Sequence, residues 1–126
     1  MDLRPPPGYV RPVLLVALGG FAGAVARWSV ATAMPGTFPW GTLAVNVTGS
    51  FLLGALVQNG RFGTHFSTQA RLLLATGFLS SFTTYSTFAA ETLALDPPLG
   101  AANVVGTYGL GLTAAFLGQH VAGVGE

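Results

Sequence analysis

The sequence predicts an all-α membrane protein of four transmembrane helices, the third broken near its middle. Three observations carry this prediction. Of the 126 residues, 51% are hydrophobic and only 7% are charged, against roughly 25% charged in a soluble domain. A soluble chain so poor in charge could not cover its surface. The apolar residues fall into four runs separated by proline, glycine and polar clusters, and about 20 apolar residues suffice to cross a bilayer as a helix. Within the third run lies a polar, β-branched patch that an uninterrupted span would not carry.

The chain reads as one integral membrane domain over residues 1–126. Residues 1–12 form a polar, proline-rich tail containing Arg4-Pro5-Pro6-Pro7-Gly8. The first span covers residues 13–33, with Arg27 as its only charge, and Met34-Pro35-Gly36-Thr37-Phe38-Pro39 ends it. Trp28 and Trp40 flank this break and suit the aromatic belt of a membrane interface. The second span, residues 41–57, has no charge and closes at Gln58-Asn59-Gly60-Arg61, with His65 in the loop beyond. The third span, residues 69–95, is longer than a bilayer needs. Ser80-Ser81-Phe82-Thr83-Thr84 followed by Tyr85-Ser86-Thr87 predicts a break there. Broken helices at membrane depth line cavities or sites, because the freed backbone groups need partners. Asp96-Pro97-Pro98 then ends the span, and the fourth runs over residues 99–121.

Helical projection aligns the polar positions. Gly20, Gly23 and Arg27 share a face of the first span, and Thr42, Asn46, Gly49, Ser50 and Leu53 share one of the second. Thr84, Thr87, Phe88 and Glu91 follow the same spacing in the third, while Asn103, Thr107 and Ala114 form a weaker stripe in the fourth, beside Tyr108. The pairs Gly19/Gly23 and Ser50/Gly54 allow close helix approach whatever the function. Asn46 reads equally well as a packing hydrogen bond or as a functional amide. Arg27 and Glu91 are harder to assign to packing, since intramembrane charges are costly and mark functional sites by default. A structural ion pair, or snorkelling of Arg27 to the interface, is the alternative.

Several classes are disfavoured. With no cysteine, disulfides and thiolate metal sites are excluded. A net charge of +1 gives no electrostatic case for nucleic acid. No zinc-protease helix, phosphate loop or nucleophilic triad is present. Only four acidic residues occur, two of them near the ends, so an enzyme is not expected. With the N-terminus inside, Arg4, Arg11, Arg61 and Arg71 lie on the cytoplasmic side and Arg27 toward the other.

Three stretches then read together: Gly19-Gly20-Phe21-Ala22-Gly23-Ala24-Val25-Ala26-Arg27-Trp28, Gly41-Thr42-Leu43-Ala44-Val45-Asn46-Val47-Thr48-Gly49-Ser50-Phe51, and Gly77-Phe78-Leu79-Ser80-Ser81-Phe82-Thr83-Thr84-Tyr85-Ser86-Thr87-Phe88 with Glu91 soon after. In this order they resemble the CrcB/Fluc family of fluoride channels, and the resemblance spans residues 13–121. It implies an antiparallel dimer of four-helix subunits in the inner (plasma) membrane, with two narrow pores that pass fluoride out of the cytoplasm passively.

By position in the motifs, Tyr85 and Phe88 match the two pore phenylalanines, and Asn46 matches an asparagine whose amide donates into the pore. Ser86 and Thr87 match a polar track, Glu91 a glutamate near the pore end, Tyr108 a pore-lining tyrosine, and Arg27 a vestibule arginine. The backbone carbonyls of Ser80 and Thr83 match those that hold a structural Na+ on the dimer axis. The resemblance departs at Ser80-Ser81, where the family has Gly-Gly, so unusual backbone dihedrals are expected there; it departs again at Tyr85. The bias of four arginines to one leaves two dimers open, a dual-topology homodimer or a pairing with an inverted paralogue. Rival readings are a small multidrug-type cation exporter, which needs an acidic residue where this chain has Arg27, and a structural subunit without transport.

Overall fold

The computed structural model describes residues 3, 4, 8–57 and 67–123; the 58–61 closure (including Arg61), the 5–7 prolines and His65 lie outside them. Helix α1 spans Val10–Ala33 and α2 spans Trp40–Val57. The third span is composite. It starts with α3 (Thr68–Arg71), capped by the Ser67 hydroxyl accepting from the Ala70 N–H. It continues as a π-helix over Leu72–Leu79 and ends its first half in α4 (Ser80–Phe82). After a break it resumes as α5 (Ser86–Ala94), and α6 spans Pro97–Gly123. Of these helices α1, α2 and α6 are each long and apolar enough to cross a membrane by themselves.

The boundaries follow from local chemistry. Gly36, at φ 146°, makes the turn after α1. The Trp40 N–H then donates to the Phe38 carbonyl at 2.9 Å while the two rings pack with centroids 4.6 Å apart. Pro97 and Pro98 open α6, where a missing N–H costs nothing, and the Gly100 N–H closes the first turn onto the Asp96 carbonyl at 2.8 Å.

The chain stays helical three residues longer than expected before the break, through Phe82. Ser80 and Ser81 lie in the helix, and Thr83, with φ −82° and ψ 158°, is the first extended residue. The expectation of unusual dihedrals at Ser80-Ser81 is corrected. Ser80 has φ −67° and ψ −28°, and among the described residues positive φ occurs only at Gly8 and Gly36. Serines are accepted here because the turn is made by an extended threonine and needs no left-handed residue.

Glycines set the helix contacts. A Cβ on Gly54 would fall on the Ala115 carbonyl oxygen, and one on Gly118 would fall on that of Phe51, so α2 and α6 cross backbone to backbone. On α1, Gly19 and Gly23 face the carbonyls of Leu73 and Phe78 in the same way, and a Cβ on Gly77 would lie 2.7 Å from the Val16 carbonyl. Such close approach is how helices associate where lipid removes the hydrophobic drive. Val45, Leu79 and Phe82 form the buried core, with Ala26, Val30, Leu56 and Phe78 against them. Phe21, Leu112 and Phe116 are among many large apolar side chains left on the outside, as a lipid-immersed chain requires.

Candidate functional site

The break in the third span is the centre of the site, and side chains from α1 and α2 hold it. Asn46, on α2, pairs with one residue of the break through both ends of its amide. Its Nδ2 donates to the Thr84 carbonyl at 2.9 Å, and its Oδ1 accepts from the Thr84 N–H at 2.8 Å. The second Nδ2 hydrogen has no partner among the described residues. The stripe of small residues read from the sequence explains how α2 comes so close: Gly49 sits directly beneath the Thr83 methyl. The Ser50 hydroxyl turns back to the Asn46 carbonyl at 2.7 Å.

These contacts change what the neighbouring carbonyls can do. In an unbroken helix the Ser80 carbonyl would accept from the Thr84 N–H and the Thr83 carbonyl from the Thr87 N–H. Both donors are diverted. Thr84 gives its N–H to Asn46, and Thr87 gives its N–H to the Thr84 hydroxyl at 3.2 Å. The Ser81 carbonyl has a different fate, accepting from Arg27 Nε at 3.0 Å. Gly20, one face along α1, lies against the Ser81 hydroxyl. The Ser80 hydroxyl is spent within its own helix on the Thr76 and Gly77 carbonyls.

Beyond the break a ladder of three aromatic rings forms. Tyr85 and Phe88 have centroids 6.0 Å apart at 52°, and Phe88 and Tyr108 are 6.0 Å apart at 78°, edge to face. Phe88 is buried at 6% exposure, whereas Tyr85 is 71% exposed and Tyr108 50%. The rings flank an open groove of about 410 Å³, walled by α2 at Asn46, Gly49, Ser50 and Leu53, by Ser80, Thr83, Thr84 and Tyr85 around the break, and by α6 at Thr107, Tyr108 and Gly111. Aromatic ring edges carry positive partial charge and their faces negative. With an amide N–H beside them, they make a groove suited to an anion that exchanges water for weak donors.

Six of the residues to which the resemblance gives a role line this groove: Asn46, Ser80, Thr83, Tyr85, Phe88 and Tyr108. Ser86 and Thr87 form the first turn of α5 beside it, with the Ser86 hydroxyl 3.5 Å from that of Thr84. Glu91 stands a turn further along α5, where its Oε1 accepts from the Thr42 hydroxyl at 2.5 Å. Arg27 and Glu91 therefore meet different partners and do not pair with each other.

The sequence reading did not assign roles to Thr42, Thr84, Thr92 or Asn103. Asn103 is the most buried polar side chain described, at 1% exposure. Its Nδ2 donates to the Thr92 hydroxyl at 2.8 Å, which donates on to the Phe88 carbonyl at 2.7 Å. An amide in an apolar span is the available signal, because burying one without partners is costly.

Comparison with known proteins places the chain in a family. The family described as CrcB-like protein, Camphor Resistance (CrcB), matches residues 14–119. A protein of Natronomonas pharaonis named fluoride-specific ion channel FluC 1 is 59% identical over 111 residues, covering 88% of this chain and 93% of its own. A protein of the same name from Haloarcula marismortui is 49% identical, covering 89% and 86%. The fluoride-specific ion channel FluC of Chlorobaculum tepidum is 45% identical over 120 residues, covering 90% and 95%. With the family match running from the first span to the end of the fourth, and relatives this similar along nearly their whole length, the chain belongs to the CrcB family.

Proposed function

We propose that the chain is a fluoride-selective channel that lets fluoride leave the cytoplasm down its electrochemical gradient and so protects against fluoride toxicity. The observation that carries the reading is the Tyr85–Phe88–Tyr108 ladder lining one groove with the Asn46 amide. Relatives named as fluoride channels at up to 59% identity support it. Fluoride is small and strongly hydrated, so a path that strips its water needs closely spaced donors, which ring edges and an amide supply. An inside-negative membrane potential drives the anion outward.

The groove is open on one side and its outermost ring, Tyr85, is largely exposed. A second subunit in the opposite orientation would close it, either another copy of this chain or an inverted paralogue, in the plasma membrane. Na+ would serve as a structural ion between the subunits, held by the Ser80 and Thr83 carbonyls. These carbonyls suit it, because the N–H groups that would otherwise satisfy them are diverted to side chains and hard cations take oxygen ligands freed at unwound helices. When bound, the ion would supply positive charge at the break and would tie the two subunits together.

The test is fluoride efflux from liposomes holding the purified protein, followed with an electrode after a potassium ionophore is added. Fast fluoride release without chloride release is the expected result. No release from folded, dimeric protein would refute a channel made of this chain alone.

A further inference from the structure

We infer that Asn103 is a positioning residue for the anion path, acting through Thr92 to fix the Phe88 ring against Tyr108. The inference rests on the channel reading above, and its two central residues, Asn103 and Thr92, are not among those that wall the groove. Asn103 lies on α6 and Thr92 on α5, and their hydrogen bond of 2.8 Å joins the two helices just past the sharp turn at Asp96. Thr92 passes the contact on to the carbonyl of Phe88 at 2.7 Å. At the other end, Asn103 Oδ1 accepts from the Thr107 hydroxyl at 3.4 Å, and Thr107 lines the groove beside Tyr108. One continuous polar chain therefore starts at the backbone of Phe88 and ends on the residue preceding Tyr108, the two rings that meet edge to face.

Packing alone does not call for this arrangement. An apolar residue would fill the position in a lipid-embedded helix without the desolvation cost of an amide. Close packing is in fact supplied at the same junction by Gly100, which sits against the Thr92 carbonyl. What the chain adds is register. Rotating α5 or sliding it along α6 breaks the Asn103–Thr92 hydrogen bond, the link of this chain that crosses between the two helices, so the position of Phe88 along the groove is held to within hydrogen-bond tolerance. A path for a dehydrated anion depends on such placement, because misplacing a contact by an ångström changes rates by large factors.

The test uses the full chain with 4-fluorophenylalanine at its nine phenylalanines, the Phe88 signal being identified by its loss in Phe88→Leu. Thr92→Val keeps the shape and removes the hydroxyl, Thr92→Ser keeps the hydroxyl, and Asn103→Ala removes the amide. Thr92→Val and Asn103→Ala should shift the ¹⁹F resonance of Phe88, lower fluoride efflux about tenfold and reduce the preference for fluoride over chloride. Thr92→Ser should restore all three, and the double variant should be no worse than either single one. A Phe88 resonance unmoved by Thr92→Val would overturn the inference. So would a moved resonance with unchanged efflux and selectivity, which would make the chain a packing device only. Parent protein that releases no fluoride would instead refute the channel reading, while the resonance would still decide whether Asn103 positions Phe88. If Asn103→Ala does not fold, the two Thr92 variants decide the question alone.

Discussion

Replacing Asn46 with alanine should open the break without touching any aromatic ring. The variant loses the 2.9 Å bond to the Thr84 carbonyl and the 2.8 Å bond from the Thr84 N–H. Interhelical hydrogen bonds in membranes contribute about 0.6 kcal/mol each on average and about 1.7 at most, so the pair gives roughly 1–3 kcal/mol. The Thr84 N–H is then left either unmet, at a cost of about 1–3 kcal/mol, or free to return to the Ser80 carbonyl by closing the helix. Both routes reach the function, the first through stability and the second by removing a carbonyl proposed to hold the cation. Equilibrium unfolding by SDS in mixed micelles, followed by helical circular dichroism, measures the loss. Ser50→Ala is the control, since its hydroxyl bonds only within its own helix at 2.7 Å and should cost under about 0.5 kcal/mol. Asn46→Asp keeps the acceptor for the Thr84 N–H but sets a carboxylate oxygen against the Thr84 carbonyl and a negative charge in the anion path. It should stop fluoride release even where it folds. A loss for Asn46→Ala no larger than that of Ser50→Ala would refute the clamp.

Three further outcomes follow from the same geometry. Gly54→Val or Gly118→Val should separate α2 from α6, because each Cβ meets a backbone carbonyl that cannot move aside, whereas Gly106→Ala and Gly109→Ala, with nothing within 4 Å, should leave SDS stability unchanged or raised. Exchanging Na+ for N-methylglucamine should lower the thermal stability of the protein, by about 2.7 kcal/mol if the ion was present at a hundred times its Kd; an unchanged melting temperature would argue against the proposed cation site. Tyr85→Phe keeps the ring edge and should hold fluoride efflux within about threefold of the parent, while Tyr85→Leu should abolish it; equal rates in all three would remove Tyr85 from the path.

Much of the site was legible because lipid forces polar residues to declare themselves. The break was readable from Ser80 to Thr87, since hydroxyl-bearing and β-branched residues at membrane depth need a reason, and Asn46 stood out in a span without charge. Its partner was not readable, because nothing in either segment says which amide meets which peptide group. The π-helical stretch of Leu72–Leu79 had no sequence signal either: its residues would serve an α-helix as well, and the packing of Gly77 against α1 is a tertiary fact. The serines at 80 and 81 misled for a related reason. A resemblance in which glycine is usual implied a strained backbone, yet the strain-free turn at Thr83 makes glycine unnecessary.

The division of labour at the break follows from where its freed backbone groups find partners. In a low-dielectric medium an orphaned group costs several kcal/mol, so a helix can stop there only if other side chains take over its bonds. Asn46 takes both groups of Thr84, the Thr84 hydroxyl takes the N–H of Thr87, and Arg27 takes the carbonyl of Ser81. The Ser80 and Thr83 carbonyls are thereby deprived of their helical donors, and both belong to residues that line the groove. The residues that end the helix are therefore the ones that free the two carbonyls proposed as cation ligands, and Asn46 also borders the aromatic ladder. A substitution at Asn46 should then disturb cation affinity and anion passage together. Cutting the Asn103–Thr92 link should disturb only the second, since it acts on α5 beyond the break. Measuring Na+-dependent stability and fluoride efflux on Asn46→Ala and Thr92→Val side by side would separate the two devices. Loss of both properties in Thr92→Val would show that α5 and the break move as one body.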